Sequence, residues 1–87
     1  MLFDLGTTQN TSFWMKDMRF PLDMVWVTED KRIAGVTADI QPQPGAPDNQ
    51  LQLYPAPVPV RSVLELNAGV AAERGLGAGT QLSFTLP

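Results

Sequence analysis

Six of the eight prolines in this chain fall within residues 41–59, alongside Gly45 and Asn49. Proline fixes φ and has no N–H to donate, so this span cannot form a regular helix and is nearly barred from a central strand. It splits the 87 residues into a front block and a back block that must meet around it. A loop this long in a small domain is usually functional or disordered. Its prolines restrict the unfolded chain and so lower the entropic cost of ordering it. Leu51, Leu53 and Tyr54 supply apolar anchors. The expectation is a semi-ordered flap over one end of a sheet, with residues 51–53 pairing to a neighbouring edge.

Both blocks read as strands. Residues 1–5 form a first short strand and residues 6–10 a polar loop. In a second strand, residues 11–16, alternation puts Phe13 and Met15 on the core side and Ser12, Trp14 and Lys16 on the other. Pro21 then ends a connection and pushes Phe20 to an extended conformation. Residues 22–28 carry Met24 and Trp26 on one face and Val25 and Val27 on the other, the pattern of a central strand covered on both sides. Glu29-Asp30-Lys31-Arg32 is a hairpin tip. The returning strand, residues 33–40, is expected to place Ala34, Val36, Ala38 and Ile40 on one face, with Gly35 marking a bulge or a close approach of another backbone.

In the back block, residues 60–67 form a strand with Val60, Leu64 and Leu66 inward and Arg61, Val63 and Glu65 outward. Asn67 is the expected N-cap of a two-turn helix, residues 68–74. Leu66 and Ala71 fit a hydrophobic staple. Gly75 suits the left-handed position after the helix, which lets Leu76 fold back. A last strand, residues 80–86, alternates Leu82, Phe84 and Leu86 inward. The fold class is mostly β (α+β): one domain, a small barrel-like or strongly twisted antiparallel sheet with one short helix near the C-terminus.

Composition narrows the function. Six basic and nine acidic residues give a net charge of −3. The few cations are scattered, which argues against nucleic acid as a partner. Cysteine is absent, so disulfides, thiolate chemistry and Cys-type zinc sites are excluded. Histidine is absent too, which removes the commonest general base and metal ligand. No apolar run is long enough to span a membrane. The opening residues lack a basic region and a long apolar core, so they do not read as a signal peptide.

The densest chemistry lies in Ser12-Phe13-Trp14-Met15-Lys16-Asp17-Met18-Arg19-Phe20-Pro21-Leu22-Asp23. One reading is plain packing: Trp14 under a loop with the Lys16 stem across it, and Arg19 paired to Asp23 to pin the turn. The sharper reading is a ligand groove lined by Trp14, Trp26 and Tyr54 and rimmed by Lys16, Arg19 and Asp23, with the proline-rich loop as its lid. A small molecule, glycan or peptide strand would fit such a surface. A structural or protein–protein interaction domain is the alternative. An enzyme ranks behind both: Lys16, Asp17, Asp23 and Tyr54 are the acid–base candidates, with hydrolase-type chemistry resting on Lys16 and Asp23. Asp4, Asp17 and Asp23 match no calcium-loop spacing, so neither a metal nor a cofactor is expected.

Phe13-Trp14-Met15-Lys16-Asp17-Met18 followed by Pro21-Leu22-Asp23 resembles the hallmark of the domain-of-unknown-function 192 family (DUF192) of bacteria and archaea. Val63-Leu64-Glu65-Leu66-Asn67-Ala68-Gly69 is similar to the family's late strand and helix start. Gly75-Leu76-Gly77-Ala78-Gly79 is similar to its turn into the last strand, and Met1-Leu2-Phe3 to the strand before the hallmark. The resemblance covers nearly the whole chain and implies a small, mostly β, barrel-like domain with one short helix, but no activity. Many members look exported or lipid-anchored, which implies a periplasmic or secreted location after signal removal, with the cytoplasm still open. Four departures stand out. Asp17 replaces a usual Asn. Lys31 replaces a frequent Gly, at a cost of about 1 kcal/mol if the position is left-handed. The cysteines often found in the proline-rich loop are missing. The family's usual N-terminal strand has no counterpart, which would leave an unpaired edge and leads us to expect a homodimer or strand-exchanged assembly.

Overall fold

A computed structural model describes residues 1–83. Four antiparallel strands form the main sheet: β1 (Leu2–Gln9), β3 (Leu22–Val27), β4 (Ile33–Ile40) and β6 (Val60–Asn67), in the order β1-β6-β3-β4. A second, two-stranded ribbon pairs β2 (Ser12–Phe13) with β5 (Tyr54–Pro55). One short helix, α1 (Val70–Glu73), follows β6. The architecture is the expected mostly β fold with a C-terminal helix, but the sheet stays open and does not close into a barrel.

β3 is interior and every one of its residues is buried. Its alternation builds two cores, one on each side of the sheet. Met24 and Trp26 join Met15, Leu22, Ile40, Val60 and Val63, and the β2–β5 ribbon brings Phe13 and Tyr54 against them. Val25 and Val27 join Ile33 and Ala71 on the opposite side, with Leu66, Leu76 and Leu82 packed around. A T-shaped aromatic chain runs from Phe3 through Phe13 to Trp26, with centroids 5.6 and 5.9 Å apart. Edge-to-face geometry of this kind suits the ring quadrupoles.

Several local expectations are corrected. β1 runs longer than residues 1–5, with an irregularity between its pairings at Asp4 and Gln9. β2 is shorter than residues 11–16, because the chain turns at Lys16-Asp17. β4 does not keep Ala34, Val36, Ala38 and Ile40 on one face. Two register shifts against β3 interrupt its alternation, so Ala34 and Ile40 serve one core and Ile33 and Val36 the other. Each bulge inserts an unpaired residue and reverses the faces beyond it. Gly35 does border a bulge, between its pairing to Trp26 and that of Ile33 to Val27, while the close approach beside it comes from a side chain, the Pro57 ring, 3.4 Å from where a Cβ would lie. Val63 is fully buried, not outward. In the proline-rich loop, Tyr54–Pro55 pairs with β2 where residues 51–53 were expected to, and Asp48–Gln50 makes one 3₁₀ turn.

The helix is shorter than residues 68–74 and is not capped by Asn67. Its N-cap residue is Gly69, at φ +90°. Its C-terminal end matches the sequence. Gly75 has φ +67°, Gly75 N–H donates to Ala72 C=O at 3.1 Å, and Leu76 N–H donates to Ala71 C=O at 2.8 Å. These are the two bonds of a Schellman motif. Gln81 bridges to Arg32, while the rest of the expected last strand, from residue 84, lies outside the described residues.

Candidate functional site

The hallmark stretch leaves β2 with Phe13 half-buried and Met15 in the core, which turns Trp14 outward at 41% exposure. Met15 C=O then accepts from Met18 N–H at 3.2 Å, closing a turn with Asp17 at φ +60°. Asp and Asn tolerate this left-handed position better than most side chains, which suits Asp17 to it. The turn lifts Lys16 back over its neighbour, with Nζ 5.4 Å from the Trp14 ring centroid. That is cation–π range. The same Nζ donates to Asp48 Oδ2 at 2.9 Å. The hydrogen bond that Lys16 donates to the Asp48 carboxylate, with that carboxylate's charge, holds the Lys16 ammonium above the ordinary lysine value; partial desolvation opposes this and Asp17 adds to it.

Beside this pair lies a small polar cleft of about 90 Å³, formed between the hallmark turn and the proline-rich loop. Lys16, Asp17 and Met18 line one wall, and Gln43, Asp48 and Leu51 the other. A second, more open and apolar depression lies at Phe20, Pro21, Asn67 and Ala68.

The six residues singled out in the sequence do not form one groove. Trp14 and Lys16 are together on the surface. Trp26 is fully buried in the core, and its indole Nε1–H donates to Thr37 Oγ1 at 2.9 Å. Asp23 is buried on the other side of the sheet, at 1% exposure, and is not a rim residue. Tyr54 is half-buried and packs towards the core opposite Phe13. Arg19 is exposed, and among the described residues it makes no ion pair with Asp23.

Asp23 has a different task. Its Oδ1 accepts from Asp39 N–H at 2.8 Å, and its Oδ2 accepts from Gly69 N–H and Ala71 N–H at 3.0 and 3.1 Å. Asp39 stands at φ +52° in the β4 bulge. One carboxylate therefore holds the bulge and supplies the helix cap that Asn67 does not. Such charge-assisted bonds are the strong kind.

Asp48, Gln43 and Leu51 were not among the sequence candidates. Asp48 is the only charged residue between residues 41 and 59, and that was the available signal. A partner 32 positions from Lys16 cannot be assigned from spacing. Among the described residues, no group of three or more Asp or Glu side chains is arranged to hold a metal ion.

The fold and site define a small open-sheet β domain with a proline-rich flap docked on an aromatic–cationic turn. The chain belongs to the DUF192 family, whose model (Uncharacterized ACR) matches residues 1–84. Two solved structures are similar. A candidate transcription regulator from Sinorhizobium meliloti shares 35% identity over 91% of this chain, with a TM-score of 0.78. A protein of unknown function from Novosphingobium aromaticivorans shares 30% identity over 97%, with a TM-score of 0.83. The chain spans 57% and 56% of their respective lengths. No curated protein matches it. No helix among the described residues is long and apolar enough to cross a membrane.

Proposed function

We propose that this domain is a non-catalytic binding module whose ligand, a small molecule, glycan or peptide, docks on the Trp14–Lys16 surface. One observation carries the reading. Trp14 stays 41% exposed beneath a lysine cation, while Phe13 and Met15 on either side of it pack inward. Stability alone gives little reason to leave so large an aromatic face in water. A half-exposed indole beside a cation is a surface that ligands with a flat or apolar body recognise.

An enzyme is less well supported. Hydrolase-type chemistry would need Asp23 near Lys16, yet Asp23 is enclosed and both its oxygens are taken by backbone amides. A regulatory role of the kind named for the Sinorhizobium protein would here run through a ligand or partner. The net charge is −3, and Lys16, Arg32 and Arg61 are already paired with carboxylates. The competing reading, a scaffold or interaction domain without a small-molecule site, draws on Asp23 and Trp26, which are both consumed by the fold.

The test is thermal melting of wild type, Trp14→Ala and Lys16→Ala across a ligand library. A compound that binds only the folded state raises the melting temperature by mass action. The module predicts a compound class that stabilises wild type, while a normally folded Lys16→Ala fails to respond. If no compound stabilises wild type and both substitutions only lower its melting temperature, the scaffold reading replaces this one.

A further inference from the structure

The proline-rich flap is braced from within. Ala46 N–H donates to Gln43 C=O, Gln50 N–H to Pro47 C=O, and Leu51 N–H to Asp48 C=O, at 3.2, 2.8 and 3.3 Å. Gln52 N–H closes the unit by donating to Gln43 Oε1 at 2.8 Å. Beyond it, Ala56 N–H donates to Thr11 C=O, and β5 is fixed to β2. Among the described residues, one polar contact ties residues 42–53 to the rest of the molecule: Lys16 Nζ to Asp48 Oδ2. Both side chains are largely exposed, at 43% and 59%. An exposed pair of this kind is weak and easily exchanged.

The flap therefore sets a carboxylate on the one cation that stands over Trp14. We propose that Asp48 is a built-in occupant of the binding surface: the flap closes the site by placing its own carboxylate on Lys16, and the ligand is a small flat carboxylate that displaces it. This inference rests on the binding reading given above and adds a ligand class and a gate. The dimensions agree with it. A cleft of about 90 Å³ has room for an anionic head but not for a whole ligand, since sites that enclose one measure roughly 300–1,000 Å³. The ligand body would lie on the exposed Trp14 face and its carboxylate would take the place of Asp48 Oδ2. Residues 42–53 would swing aside as one piece, because their internal bonds do not depend on the contact that breaks.

The probe is benzoate, with neutral benzamide as control. Binding is followed by NMR titration of the Lys16 and Asp17 amides in wild type, Asp48→Asn and Lys16→Met. Asp48 is exposed, so its amide variant should fold normally, and a melting curve checks this. Removing an exposed competing pair should tighten benzoate binding about two- to fivefold. Lys16→Met should abolish it, and benzamide should bind none of the three in this way. Equal benzoate affinity in wild type and Asp48→Asn, still lost in Lys16→Met, would overturn the gate and leave the binding surface standing. No binding to Asp48→Asn at millimolar benzoate would overturn both gate and ligand class, and the library melts would then decide the surface by themselves.

Discussion

Asp23 provides the sharpest test of how this fold is held together. Its carboxylate accepts three backbone N–H bonds, at 2.8, 3.0 and 3.1 Å, from the β4 bulge and the start of α1. Hydrogen bonds to a charged group contribute about 1.5–3 kcal/mol each. An Asn at this position can present its single oxygen where Oδ2 stands and keep Gly69 and Ala71, but it then turns an NH₂ towards the Asp39 N–H. Asp23→Asn therefore loses one bond of three, about 1.5–3 kcal/mol. Asp23→Ala loses all three in a buried setting, upwards of about 4 kcal/mol. Domains of this size have roughly 4–13 kcal/mol in total. The Asn variant should thus fold with a melting temperature lower by about 6–24 °C, while the Ala variant should be largely unfolded or close to it. Urea denaturation gives the free energies, and hydrogen exchange locates them, with Asp39, Gly69 and Ala71 amides losing protection first. An Asp23→Asn variant within about 0.5 kcal/mol of wild type would show that the Asp39 N–H bond to Asp23 does not stabilise the fold.

Other predictions follow from single features. Lys31 sits at φ +64°, so Lys31→Gly should stabilise the fold by up to about 1 kcal/mol, read as a higher urea midpoint at unchanged slope. Ser62 Oγ is buried without a hydrogen-bond partner among the described residues, so Ser62→Ala should be neutral or stabilising by about 1 kcal/mol, where a buried serine in a bonded network would lose stability. The Arg61 hydrogen bond holds the Asp4 carboxyl below its ordinary value, so its stabilisation is present above about pH 4 and is lost as pH falls further. Asp4→Asn should flatten that acid limb in melting curves. Burial raises Glu65, so its protonated form favours folding and that contribution fades as pH rises above the ordinary glutamate range; Glu65→Gln should stabilise more at pH 7 than at pH 4.

What could be read from the sequence was local. β3 announced itself by apolar residues on both faces, and the helix end by Gly75 followed by Leu76, because those signals act within a few residues. The misses were contacts between distant parts of the chain. Asn67 is a reasonable cap by position, but a carboxylate 46 residues before Gly69 does the work, and no local pattern announces that. The same burial takes Asp23 out of the site, and Trp26 belongs to the core through its ring contact with Phe13 and its hydrogen bond to Thr37. The faces of β4 are not legible in residues 33–40 alone, because two bulges reset their alternation. Trp14 and Lys16 are two residues apart in the sequence and so are legible as a pair, although the turn at Lys16-Asp17 rather than a continued strand brings them together, whereas Asp48 needs the folded flap.

The proposed function places ligand binding at Trp14. The two tryptophans make that directly measurable, since the Trp26 indole N–H is buried and bonded to Thr37 while Trp14 is exposed. The measurement is a small-molecule library screened against ¹⁵N-labelled protein, reading the two indole N–H signals. Ligands of the Trp14 surface should shift the Trp14 indole together with the Lys16 and Asp48 amides and leave the Trp26 indole still. Hits that shift other regions and never Trp14, or a library that moves neither signal, would contradict it.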